Sequence, residues 1–159
     1  MKEQTTVIDK IRKDTSEAAT CRREIAALAT LGLIDFSLIS LFQMGYIKNM
    51  PDVPGKLFNT EKVNTSRQAV LFGLPDGVTS LAGYTASILL ATAAIRYRKQ
   101  SRILDMALGA VVLGQAAGAA KYLYDMAFKQ KKVCVYCVAG AVINFASIKP
   151  LRSLFKRRD

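Results

Sequence analysis

The sequence predicts an all-α integral membrane protein, a four-helix bundle with an outer loop and short helix covering one end. Three observations predict it. Apolar residues make up 51% of the 159 residues, yet Lys and Arg number 23 against 12 Asp and Glu. The charges are segregated into residues 1–24, 48–67, 96–102, 129–132 and 149–159, leaving four nearly uncharged spans between them. Finally, Ala107–Ala120 has Gln115 as its one polar residue, so it lacks the polar face that a helix of a soluble bundle needs. A net charge of +11 placed beside apolar spans also reads as membrane anchoring, and no nucleic-acid partner is expected.

Residues 1–24 are polar and read as a cytoplasmic N-terminal segment, a solvated tail in which Val7, Ile8 and Ile11 make only a narrow apolar stripe. No cleavable signal peptide is expected, because the first apolar run is too long for one. That run, Ile25–Ile47, has 23 residues and one charge, Asp35. A carboxylate in mid-span is costly in lipid, so Asp35 is either functional or hydrogen-bonded toward the bundle interior with Ser37, Ser40 and Gln43. The outer loop Lys48–Arg67 begins extended, through Pro51, Pro54 and Gly55. Asn64-Thr65-Ser66 offers capping oxygens, which predicts a short helix over Ser66–Phe72, ended by Gly73, before Pro75 opens the second span.

The second and third spans, Pro75–Ile95 and Ile103–Phe128, have 21 and 26 residues. A helix crossing a bilayer needs roughly 20, so the first three spans qualify. In the third, Ala110, Gly114 and Gly118 share one face, which favours close helix contact within the monomer. Lys121 and Asp125 are four apart and should pair, and Tyr46, Tyr122 and Tyr124 suit an interfacial aromatic belt. The fourth span, Val133–Ile148, has 16 uncharged residues and must extend through Leu151, Leu154 and Phe155, with Lys149 and Arg152 snorkelling. Residues 25–159 therefore read as a four-transmembrane-helix domain. Fifteen Lys and Arg fall on the side of the termini against seven in the outer loops, which predicts both termini in the cytoplasm.

The chemistry concentrates in Cys134-Val-Tyr-Cys137, where the basic loop of Lys129, Lys131 and Lys132 meets the fourth span. The chain has three Cys and no His, too few ligands for structural zinc, with Cys21 predicted across the membrane from the pair. Haem attachment would need His after Cys137, where Val138 stands. Two buried packing thiols and a dithiol/disulfide centre remain. A helix N-terminus beside Lys residues on the oxidising face stabilises a thiolate and favours the second.

Cys134-Val-Tyr-Cys137 followed by Ala141-Val-Ile-Asn144 resembles the last helix of the vitamin K epoxide reductase family. Asn64-Thr-Ser-Arg67, Leu71-Phe-Gly-Leu-Pro75 and Gly83-Tyr84 are similar to the approach to that family's second helix. The resemblance, which runs from about Ile25 to Phe155, implies a quinone-linked thiol oxidoreductase. Its cofactor would be menaquinone, ubiquinone or a related quinone, and its partner an exported thioredoxin-like dithiol protein. Carried over by position, Cys137 would lie beside the quinone and Cys134 would exchange with incoming thiols. Ser66, Phe72 and Asp76 would belong to the quinone site. The chain departs from the family in having no loop cysteine: Thr60 stands where the second would be, and Ala141 where some members carry Tyr. A partner would then have to reach Cys134 directly, with Ser66–Phe72 as a lid. A non-enzymatic membrane protein binding a lipid-soluble ligand or membrane partner is the alternative; a metal carrier would need a relay of soft ligands that the spans lack.

Overall fold

The computed structural model describes residues 2–156. Its first element, α1 (Lys2–Lys13), is a helix rather than a solvated tail. Its apolar stripe has a neighbour: Val7 and Ile11 line a groove with Ile95 and Tyr97. Arg23 Nη2 also donates to Ile11 O at 2.6 Å, tying α1 to the next helix. That helix, α2 (Glu17–Gln43), starts earlier than the apolar run because Ser16 caps it, its Oγ accepting from Ala19 N at 3.3 Å. The early start buries Arg22, which grips Asp105 through Nε–Oδ1 at 2.9 Å and Nη2–Oδ2 at 2.7 Å. Two charges at the ends of two apolar spans thus satisfy each other.

Helix α4 (Asp76–Arg96) and helix α5 (Ser101–Tyr124) form the next pair, and α5 continues through a π-helical turn over Asp125–Gln130. Lys121 pairs with Asp125 as expected, at 2.7 Å, and Lys129 joins it at 2.6 Å. The fourth apolar span is two helices, α6 (Val135–Ala146) and α7 (Ile148–Lys156). Pro150 explains the break, since it has no N–H to return to Ala146 O. Hydrogen bonds from Ser147 N to Ile143 O and from Leu151 N to Ser147 O flank the gap.

Helices α2, α4 and α5 with its extension, at 27, 21 and 30 residues, are long and apolar enough to cross a membrane. Helix α6 packs against α2 and α5 but has only 12 residues, so among the described residues three helices of membrane-spanning length stand where four were expected. Two apolar clusters organise the body. Ile25, Ala91, Leu108, Val112, Leu151 and Leu154 fill the end nearer the chain termini. Ala29, Phe36, Ile39, Met50 and Tyr84 fill the other. Glycine permits two close approaches there: the Tyr84 ring lies over Gly32, and the Phe36 ring lies over Gly140.

The outer loop departs most from expectation. Its short helix, α3, covers Thr60–Asn64, with Asn59 Oδ1 accepting from Lys62 N at 2.8 Å; it does not lie over Ser66–Phe72. That stretch is instead a 3-10 turn at Arg67–Ala69 followed by strand β1 (Val70–Leu71), which pairs antiparallel with β2 (Leu74–Pro75). Phe72 and Gly73, at φ 54° and 80°, form the two-residue turn. Both central residues of such a hairpin turn need positive φ, and Gly73 supplies one without strain.

Candidate functional site

Cys134 is the N-cap of α6, and a disulfide joins it to Cys137 one turn on. The placement follows from the sequence. Lys131, at φ 51°, ends the π-helical turn, and Val133 pairs with the loop through Asn59 N to Val133 O (3.1 Å) and Val133 N to Leu57 O (2.9 Å). Cys134 is thereby held extended just before the helix begins. Its Sγ accepts from Cys137 N at 3.1 Å, the capping bond that Ser or Asp would ordinarily make.

Helix α3 lies over the pair. Cys134 is fully buried against Val63 and Met126, while Cys137 is half-buried. From α3, Asn64 reaches both sulfurs. Its Nδ2 donates to Cys134 Sγ at 3.3 Å and to Thr60 O at 2.9 Å, and its Oδ1 stands 3.7 Å from Cys137 Sγ. Thr60, also on α3, is fully buried with no partner for its Oγ1. The sequence offers Asn64 as a capping residue and as part of the family-like stretch, but its contact with the sulfurs spans 70 positions and is not legible there.

The other expected site residues are partly gathered here. Asp76 is buried and accepts from Gln43 Nε2 and from Gly77 N. Gln43 Nε2 also donates to Asn64 O at 3.2 Å, so Asp76 is linked through Gln43 to the residue that touches the sulfurs. Ser66 donates to Val63 O at 2.7 Å and accepts from Gln130 Nε2 at 3.1 Å, which fastens the end of α3 to the π-helical turn. Phe72 sits at the hairpin tip, 92% exposed, and the structure does not bring it to the thiols. The basic loop also differs from expectation. Lys129 is engaged by Asp125 and Lys132 by Lys56 O, so the hydrogen bonds to Cys134 come from Asn64 and the Cys137 amide.

A cavity of about 280 Å³ opens between α4, α5 and α6. Gly114 and Gly118 line it and have open space where a Cβ would stand. Their face therefore makes room for a cavity, and the close helix contact expected of it is absent. The walls also carry Tyr84, Gln115, Tyr122 and Asn144. Gln115 Nε2 and the Tyr84 and Tyr122 hydroxyls are buried in these walls, the hydroxyls turned toward Asn144 and Asp76. Polar groups set in the walls of an otherwise apolar cavity suit a ligand with hydrogen-bond acceptors. Of the two readings of Asp35, the hydrogen-bonded one is not met: its Oδ2 is buried without a partner, facing Gly140, while Ser37 Oγ bonds Leu33 O and Gln43 bonds Asp76. Among the described residues no cluster of His, Cys, Asp or Glu could hold a metal ion.

No curated protein matches the sequence. Residues 23–149 do match the model of the vitamin K epoxide reductase family. The match runs from the first membrane-length helix through the thiol pair and into α7, and the chain belongs to the vitamin K epoxide reductase family.

Proposed function

We propose that this membrane protein is a thiol–quinone oxidoreductase of the vitamin K epoxide reductase type, passing two electrons between Cys134/Cys137 and a quinone and so supporting disulfide formation in exported proteins. Family membership supports membrane thiol oxidoreduction in general terms. The observation that carries the finer reading is the Cys134–Cys137 disulfide at the head of α6, the helix whose Asn144, further along, lines a cavity that also carries the donor groups of Tyr84, Gln115 and Tyr122. A quinone, whether menaquinone, ubiquinone or a relative, would supply a two-electron acceptor whose carbonyl oxygens match those donors. Tyr84, Gln115 and Tyr122 would hold it, with Asp76 and Ser66 keeping the outer end of the bundle closed and Phe72 meeting the membrane surface.

On this reading residues 25–159 form the four-transmembrane-helix domain and residues 1–24 a cytoplasmic segment, with the α6–α7 pair as the fourth crossing. The thiol pair then faces the outer side. An exported thioredoxin-like protein would be the dithiol partner, and its approach requires α3 to lift, because Cys134 is fully buried. The same burial, with Thr60 at the position of a family loop cysteine, is what favours the second reading, a ligand-binding member without redox turnover.

The deciding experiment counts free thiols by alkylation after quenching membranes incubated with menaquinone or its quinol. The quinone should convert Cys134/Cys137 to the disulfide, and Cys137→Ser should abolish the response. Thiols that stay reduced and indifferent to the quinone would leave only the non-enzymatic reading.

A further inference from the structure

We infer that Asn64 is a positioning residue that sorts the two sulfurs of the reduced pair, keeping Cys134 as the thiolate and Cys137 as the protonated thiol. The inference rests on the redox reading above and assigns a role to a residue that reading does not use.

Asn64 is 4% exposed, so its amide has little access to water and must find partners in the protein. The orientation of that amide is fixed. One end lies 2.9 Å from Thr60 O, which can only accept, so that end is the NH2 and donates. The second N–H of the same nitrogen is directed at Cys134 Sγ, 3.3 Å away. The amide oxygen, which can only accept, is left facing Cys137 Sγ at 3.7 Å. Cys134 Sγ thus receives two donors, Asn64 Nδ2 and Cys137 N, at a helix N-terminus. Hydrogen bonds to a charged form favour that form. Cys137 is offered an acceptor, which favours keeping its proton.

An incoming dithiol gives two electrons to the Cys134–Cys137 bond and becomes a disulfide itself. One of its two protons ends on Cys137 Sγ, and the other passes to water because Cys134 remains a thiolate. One proton is released per disulfide reduced, so higher pH favours reduction of the pair. A pair that took up both protons would show no such dependence in the same range.

The test equilibrates the full chain in detergent with reduced and oxidised dithiothreitol between pH 6 and pH 8, then quenches and counts thiols by mass. Cys21 contributes a constant background. The native chain should show an equilibrium constant for reduction that rises about tenfold per pH unit above the Cys134 pKa. Asn64→Asp preserves size but places an anion beside Cys134, and Asn64→Leu removes both contacts. Each should flatten that dependence. If both variants keep the native slope, or the native chain has none, the role of Asn64 is overturned while reversible redox chemistry stands. If the native pair cannot be reversibly reduced at any ratio of dithiothreitol, the redox reading itself falls.

Discussion

At the scale of single residues, the polar groups buried in apolar surroundings divide into answered and unanswered ones, Asp35 Oδ2 and Thr60 Oγ1 being among the unanswered. Arg22 and Asp105 are the clearest answered pair, 6% and 0% exposed at their side chains and joined by two hydrogen bonds. Removing one partner takes the ion pair away from a group that stays buried. Arg22→Met should therefore destabilise the protein by about 3–5 kcal/mol, whereas Arg22→Met with Asp105→Leu should recover most of that loss. Thermal unfolding in detergent checks both, and equal loss in the single and double variants would refute the argument. The thiol pair was legible as a motif because two Cys three apart need no tertiary information. Its surroundings were not legible, since Asn64 reaches it from another element and Gln43 in turn holds Asn64 O.

At the scale of elements, glycine separates two kinds of helix surface. Gly140 sits beneath the Phe36 ring, so a Cβ there collides with a packed side chain. Gly140→Val should cost about 1–3 kcal/mol through overpacking, read as a lowered unfolding midpoint. Gly114 faces open space within the cavity of α4, α5 and α6. Gly114→Leu should preserve the unfolding midpoint and abolish the quinone-dependent change in thiol alkylation. A Gly114→Leu protein that still responds to quinone would move the ligand elsewhere. Sequence spacing correctly put Ala110, Gly114 and Gly118 on one face, but spacing alone cannot say whether small residues admit a neighbouring helix or leave a void. The break before α7 has a more local cause. Pro150 is visible in the sequence, and its missing N–H falls where the fourth span would otherwise run on.

At the scale of the whole molecule, the charge segregation predicts an orientation. With both termini in the cytoplasm, Lys56→Cys should be labelled by an impermeant maleimide added outside intact cells, and Lys99→Cys only after the membrane is opened. The opposite pattern would invert the protein and place the thiol pair on the reducing side. The three membrane-length helices were read from the sequence because hydropathy is a property of each segment by itself. The order of spans and the Cys134/Cys137 motif were read along the chain in the same way, and the family resemblance, carried by the stretches Asn64–Pro75 and Cys134–Asn144, is borne out by the match over residues 23–149. The tertiary structure decided what lies between segments: that α3, capped by Asn59, covers Cys134; that Asn64 touches both sulfurs; that Lys129 and Lys132 are engaged elsewhere; and that a glycine face opens into a cavity. The physical reason is range. Hydropathy and helix length act over neighbouring residues, whereas burial and hydrogen-bond partners depend on which surfaces meet after the helices pack.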